Sequence, residues 1–168
     1  PVDVTAFPPG NIPALSTPFI ARERELDEIA GLLNDPACRL LTLVGQGGIG
    51  KTRLALQMAT LLADRYPDGA YFVPLAPVNA AKYIVPAVAD ALQFTAAHRD
   101  DPKARLMGYL RAKRLLLVMD NFEHLLDGVD LVTELLTGAP GIKILATSRE
   151  RLQLQEEWLY EIHGLAYP

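Results

Sequence analysis

Apolar residues fall along this chain in two rhythms. Short, mostly apolar runs at 40–44, 70–75, 115–119 and 142–146 read as strands buried on both faces, and 158–162 reads as a fifth. Between them the apolar positions recur at helical spacing. Leu26, Ile29, Ala30 and Leu33 share one face of a helix over 22–33, with acidic residues in its first turns and Asn34-Asp35-Pro36 as its stop. A second helix covers 53–62. A third runs over 79–94 through Ile84, Val88 and Leu92, where Pro86 is expected to shorten or kink it. A fourth opens at Asp101-Pro102 and carries Leu106 and Leu110. The last places Leu125, Leu126, Val129, Leu131, Leu135 and Leu136 on a helical stretch, with a break expected at Gly128 and an end at 138–141. Pro74, near the end of the second strand, hints at an edge or a strand terminus. Strands alternating with helices predict an α/β fold of three layers: a mostly parallel five-stranded sheet with helices on both faces.

Composition narrows this little. The 168 residues suffice for one buried core, and half of them are hydrophobic. Prolines at 1, 8, 9, 13 and 18 leave no periodicity in the first stretch, so 1–18 reads as an extended linker and 19–168 as the domain. The formal charge of −4, with no basic stripe, argues against nucleic-acid binding by this segment. The single cysteine, Cys38, cannot form an internal disulfide and suits a reducing, cytoplasmic setting. No apolar run approaches the ~20 residues of a membrane span, and no leader pattern opens the chain. A chain running from Pro1 to Pro168 without an initial methionine reads as a piece of a longer protein.

Three constellations carry candidate chemistry. The first is Gly45-Gln46-Gly47-Gly48-Ile49-Gly50-Lys51-Thr52, set between a strand and a helix. Glycines allow backbone conformations closed to other residues, so that successive N–H groups turn inward toward a phosphate chain. The helix that follows adds its free N–H groups and the positive end of its dipole. Lys51 would reach the β- and γ-phosphates, the Thr52 hydroxyl would ligate Mg²⁺, and Arg53 would complete the nucleotide-binding set.

The second constellation is the apolar run ending at Asp120. It puts one carboxylate on the rim where ligands bind in open α/β sheets, beside Thr52 and available to Mg²⁺. A helix N-cap is the other role for such a residue. Glu123 lies close enough to act as a base on an attacking water, or equally to cap the next helix; Asn121, directly after Asp120, cannot act as a base. In the third, Thr147-Ser148-Arg149 after the fourth strand, Thr147 could sense a γ-phosphate and Arg149 could pair with its charge. An exposed loop arginine is the alternative there. His98, His124 and His163 have no ligand spacing and read as surface or cap residues.

Taken in order, these residues resemble the nucleotide-binding domain of the signal-transduction NTPases with numerous domains (STAND), in the NB-ARC or AP-ATPase branch of bacterial LuxR/SARP-type regulators. Pro18-Phe19-Ile20-Ala21-Arg22-Glu23 is similar to the family's entry motif, so Phe19, Ile20 and Arg22 would border the adenine and ribose. Ala21 stands where the family usually has glycine, and Asn121 where many relatives have a second acid. The resemblance implies a three-layer P-loop NTPase fold of the ASCE type that binds ATP and ADP with Mg²⁺. It also implies slow hydrolysis, helical, winged-helix and repeat modules further along the same chain, and self-association in the ATP state. An autonomous ATPase or small-molecule kinase is the alternative. Adenine rather than guanine follows from the resemblance, since no Asn-Lys-x-Asp run is present.

Overall fold

The computed structural model describes residues 10–13, 23–47, 50–93 and 101–163. Ten helices and strands follow in the expected order: α1 Glu23–Leu33, β1 Leu40–Val44, α2 Lys51–Leu62, β2 Ala70–Pro74, α3 Ile84–Ala91, α4 Pro102–Leu110, β3 Leu116–Asp120, α5 Val129–Gly138, β4 Lys143–Ser148 and β5 Glu157–Glu161. The strands form one parallel sheet in the order β2-β3-β4-β1-β5.

Side chains of successive strand residues point to opposite faces, and the core divides accordingly. On β3, Leu117 and Met119 join Ile84, Val88, Leu106, Leu110 and Leu135 beneath α3, α4 and α5. Leu116 and Val118 join Leu26, Ile29, Leu54 and Met58 beneath α1 and α2. All five residues of β3 are buried, which is why the run reads as continuously apolar up to its closing Asp120. This is the three-layer α/β arrangement that the alternation predicts.

Four element boundaries have local causes. α2 begins at Lys51, because the glycine loop delivers the chain straight into its first turn. α3 is shortened to Ile84–Ala91 against the 79–94 span, as expected of Pro86: a 3₁₀ turn, Ala81–Tyr83, precedes it, and the proline sits in its first turn, where a missing N–H costs nothing. The stretch after β3 is two 3₁₀ turns, Phe122–His124 and Leu126–Gly128, before α5 starts. Asn121 adopts a left-handed conformation (φ 65°, ψ 58°) that prevents β3 from running into a helix. β4 extends to Ser148, held by its register with Val44 of β1, so Thr147 and Ser148 lie inside the strand rather than after it. Pro74 ends an edge strand, as its chemistry suggests. Part of the expected linker is docked: Gly10 forms a parallel bridge with Ala70 on β2.

Candidate nucleotide site

The site lies where β1, β3 and β4 end on the same rim. Gly45 donates its amide to the Ser148 carbonyl (3.2 Å), tying the start of the loop to the end of β4. Gly50, at the N-terminus of α2, has φ 88° and ψ 23°, a backbone setting that penalises any Cβ. Gly48 and Ile49 lie outside the described residues, as do Phe19, Ile20 and Arg22 of the entry motif and His98.

Lys51 is only 6% exposed, and its ammonium donates to the carbonyls of Gly45 (2.7 Å) and Gln46 (3.0 Å). Burial lowers its pKa, the Glu123 carboxylate pulls it back up, Arg149 lowers it and Asp120 raises it. A desolvated ammonium at the mouth of a glycine loop is poised to exchange carbonyls for phosphate oxygens, which compensate its charge better.

Asp120 closes β3 at 4% exposure. Its Oδ1 accepts from the Thr52 hydroxyl (2.7 Å) and from the Thr147 hydroxyl (2.7 Å). Thr147, fully buried at 0%, also accepts the Asn121 amide proton (2.9 Å). The hydroxyl expected to sense a γ-phosphate is therefore engaged with Asp120 and the backbone beside it. The reason is that β4 carries Thr147 inward as a strand residue.

Glu123 sits on the first 3₁₀ turn, and its Oε1 accepts the Arg149 amide (3.1 Å). It neither heads a helix nor caps one. The Arg149 guanidinium lies over the glycine loop, so close that a Cβ at Gly47 would fall 2.7 Å from one of its terminal nitrogens. Lys51, Thr52, Arg53, Glu123 and Arg149 line one open cavity of about 640 Å³ with Gly47 and Gly50, a volume suited to a small-molecule ligand. Asn121, His124 and Ala76 line it too. His124 places Nε2 2.7 Å from the Val78 carbonyl, bridging to the loop after β2. Spacing gives no signal for Ala76 or His124; Asn121 could have been found from its place directly after Asp120.

The donor set fits Mg²⁺. One threonine hydroxyl and one carboxylate share an edge, and that ion prefers a few protein oxygens with water and phosphate completing its shell. Among the described residues no group of three or more His, Cys, Asp and Glu side chains builds a cage for a metal.

A glycine loop joining β1 to α2 of a parallel sheet, with lysine, threonine and a strand-end aspartate converging on it, defines a P-loop NTPase. The chain belongs to the AAA ATPase domain family, which it matches over residues 18–136. It is 41% identical over 133 residues to a Mycobacterium tuberculosis protein named as an HTH-type transcriptional regulator, covering 76% of this chain and 14% of that one. An uncharacterised protein of the same organism is 34% identical over 151 residues, covering 89% of this chain and 38% of the relative. The regulatory protein AfsR of Streptomyces griseus is 26% identical over 155 residues, covering 86% and 16%. The chain thus spans well under half the length of these relatives.

Solved structures agree on the fold. Cdc6p from Pyrobaculum aerophilum superposes with a TM-score of 0.60 at 23% identity, covering 89% of this chain and 43% of that one. A STAND protein with a tetratricopeptide repeat sensor from Pyrococcus horikoshii superposes at 0.53 with 20% identity, covering 92% and 24%. Among the described residues no helix is long and apolar enough to cross a membrane.

Proposed function

We propose that this domain is the ATP/ADP-binding switch of a cytoplasmic multidomain transcriptional regulator, of the STAND class in its NB-ARC or AP-ATPase branch, with slow hydrolysis as its reset. The observation that carries the reading is the convergence on one cavity of Lys51, Thr52 and Arg149, with Asp120 bonded to Thr52 behind it. Family membership supports nucleotide binding; relatives named as regulators support the setting. Bound Mg²⁺ would be held by Thr52 and Asp120 and would neutralise phosphate charge.

A switch needs a ligand-dependent difference in free energy between two states. Arg149 is the residue suited to supply it, since its guanidinium lies against Gly47 of the glycine loop and could pair with the γ-phosphate that ADP lacks. Phe19, Ile20 and Arg22 would border the base, and Gly45, Gly48 and Ile49 would contribute backbone to the phosphate cradle. Glu123 would orient a water, but its link to the Arg149 amide and the presence of Asn121 in place of a second acid favour slow turnover. Helical, winged-helix and repeat modules elsewhere in the same protein, and self-association in the ATP state, belong to this reading.

Calorimetric titration of ATP and ADP, with and without Mg²⁺, tests it. Binding of both nucleotides, strengthened by Mg²⁺ and lost in Lys51→Ala, is the expected result. Unchanged ATP affinity in Lys51→Ala would overturn it. Steady-state turnover above ~1 s⁻¹ would instead mark an autonomous enzyme.

A further inference from the structure

β2 is an edge strand, yet its outer side is occupied. The Phe72 amide donates to Asn11 Oδ1 (2.6 Å), and Asn11 Nδ2 donates to the Phe72 carbonyl (3.1 Å). One carboxamide thus satisfies both backbone groups of a strand residue, as a neighbouring peptide unit would. One residue earlier, Gly10 pairs in parallel with Ala70. Its φ is +150°, and a Cβ there would fall 2.2 Å from the Ala70 carbonyl oxygen, so this approach requires glycine. Ile12 then packs against the core beneath α1 and α2.

The edge itself sets how far such pairing can run. The N–H and C=O of a strand residue point to one side, and the side alternates along the chain. The bonds of Phe72 therefore place Ala70 and Pro74 on the outer edge with it. Pro74 has no N–H, so a partner strand finds backbone donors at Ala70 and Phe72 and none beyond. Gly10 and Asn11 match those two positions.

We propose that the outer edge of β2 is a strand-addition site for an extended Gly-Asn segment, filled in cis by residues 10–13. The latch lies on the strand that leads through Leu75 to Ala76 of the nucleotide cavity. Backbone bonds at Phe72 supply the affinity; glycine at one position and the carboxamide at the next supply the selectivity. Tethering gives the segment a millimolar-range effective concentration, so a free peptide engages the edge only when the latch is lifted.

Hydrogen exchange on the full chain tests the proposal. Asn11→Ala is expected to lower protection of the Phe72 amide about tenfold or more, with Leu117 and Val118 in β3 unchanged. A peptide of residues 6–16 then restores it in that variant, whereas the same peptide with alanine for Asn11 does not. Wild-type protection at Phe72 in Asn11→Ala would overturn the proposal, as would equal restoration by both peptides. Should that variant not fold, a dilution series on the wild-type chain still decides. Constant protection supports pairing in cis; protection that falls on dilution means the segment comes from a second copy and overturns it.

Discussion

Asp120 Oδ1 accepts two hydroxyl protons inside the fold, one from Thr52 and one from Thr147. The two threonines differ in what they can do. Thr52, in the first turn of α2, is half-buried beside the cavity, so its hydroxyl can turn to a metal. Thr147 is fully enclosed and links Asp120 to the Asn121 amide. That link fixes the carboxylate and, through the backbone, the left-handed turn at Asn121. Thr147→Val keeps the shape but leaves the carboxylate and an amide each short of a partner, a loss of about 1–3 kcal/mol. Thr147→Ser keeps both bonds. The expected outcome is that Thr147→Val lowers the Mg²⁺-dependent part of ATP affinity as well as stability, and that Thr147→Ser recovers both. Titration of each variant with and without Mg²⁺, beside urea unfolding, checks it; Mg²⁺ dependence equal to wild type in Thr147→Val would remove Thr147 from the positioning of Asp120.

At the scale of elements, one side chain just ahead of β1 ties that strand to the end of α5. The Arg39 guanidinium donates to the carbonyls of Leu136 (3.1 Å), Ala139 (2.8 Å) and Ile142 (3.0 Å), the last turn of α5 and the loop after it. A cation at that end also suits the helix dipole. Arg39→Met retains the aliphatic stem and strips these carbonyls of their donor, so it should cost on the order of 2 kcal/mol in urea unfolding. A variant as stable as wild type would mean that water serves them equally well. Nothing local in the sequence points to Arg39, because its partners lie about a hundred positions away. The same distinction separates what was legible from what was not. β1, β3 and α2 were readable because burial on both faces or on one stripe writes itself into consecutive residues. Lys51 and Thr52 stood out because a phosphate loop has a fixed spacing, and Asp120 because it closes an apolar run; the structure brings Thr52 and Asp120 into contact. The true end of β4, the role of Thr147 and the docking of Asn11 on β2 were not, since each is decided by a partner strand. The split after Asn121 was half legible: Gly128 marked the break, but the left-handed residue that starts it is an asparagine, which sequence alone does not distinguish from a helical one.

For the whole molecule, the two ends of the sheet are set differently. The strand C-termini carry the nucleotide cavity; the opposite end carries Cys38, buried just before β1 against α1 and α2. Burial pushes the Cys38 thiol up from 9.0 to about 11, with Lys143 pulling it down and Asp35 pushing it up. Burial likewise pushes Tyr66, in the same core, from 10.0 to about 12. A group with a raised pKa keeps its proton in the folded chain where the unfolded chain has released it. Between the two values the unfolded state binds fewer protons, so stability falls as pH rises. The lysines act the other way: burial lowers Lys51 and Lys143, and folding gains as pH climbs through the lysine range. Wild type alone therefore shows only the balance. Cys38→Ala removes the thiol, with its coupling to Tyr66 and Lys143, and leaves the burial that dominates the shifts of Tyr66 and both lysines. The difference in unfolding free energy between wild type and Cys38→Ala should be constant below pH 9.0 and shrink toward pH 11, against wild type. The full change for a shift of this size is on the order of 3 kcal/mol. Urea unfolding of the two proteins at matched pH values measures it. A difference that stays flat across that window would mean the thiol titrates in the fold as it does in the open chain.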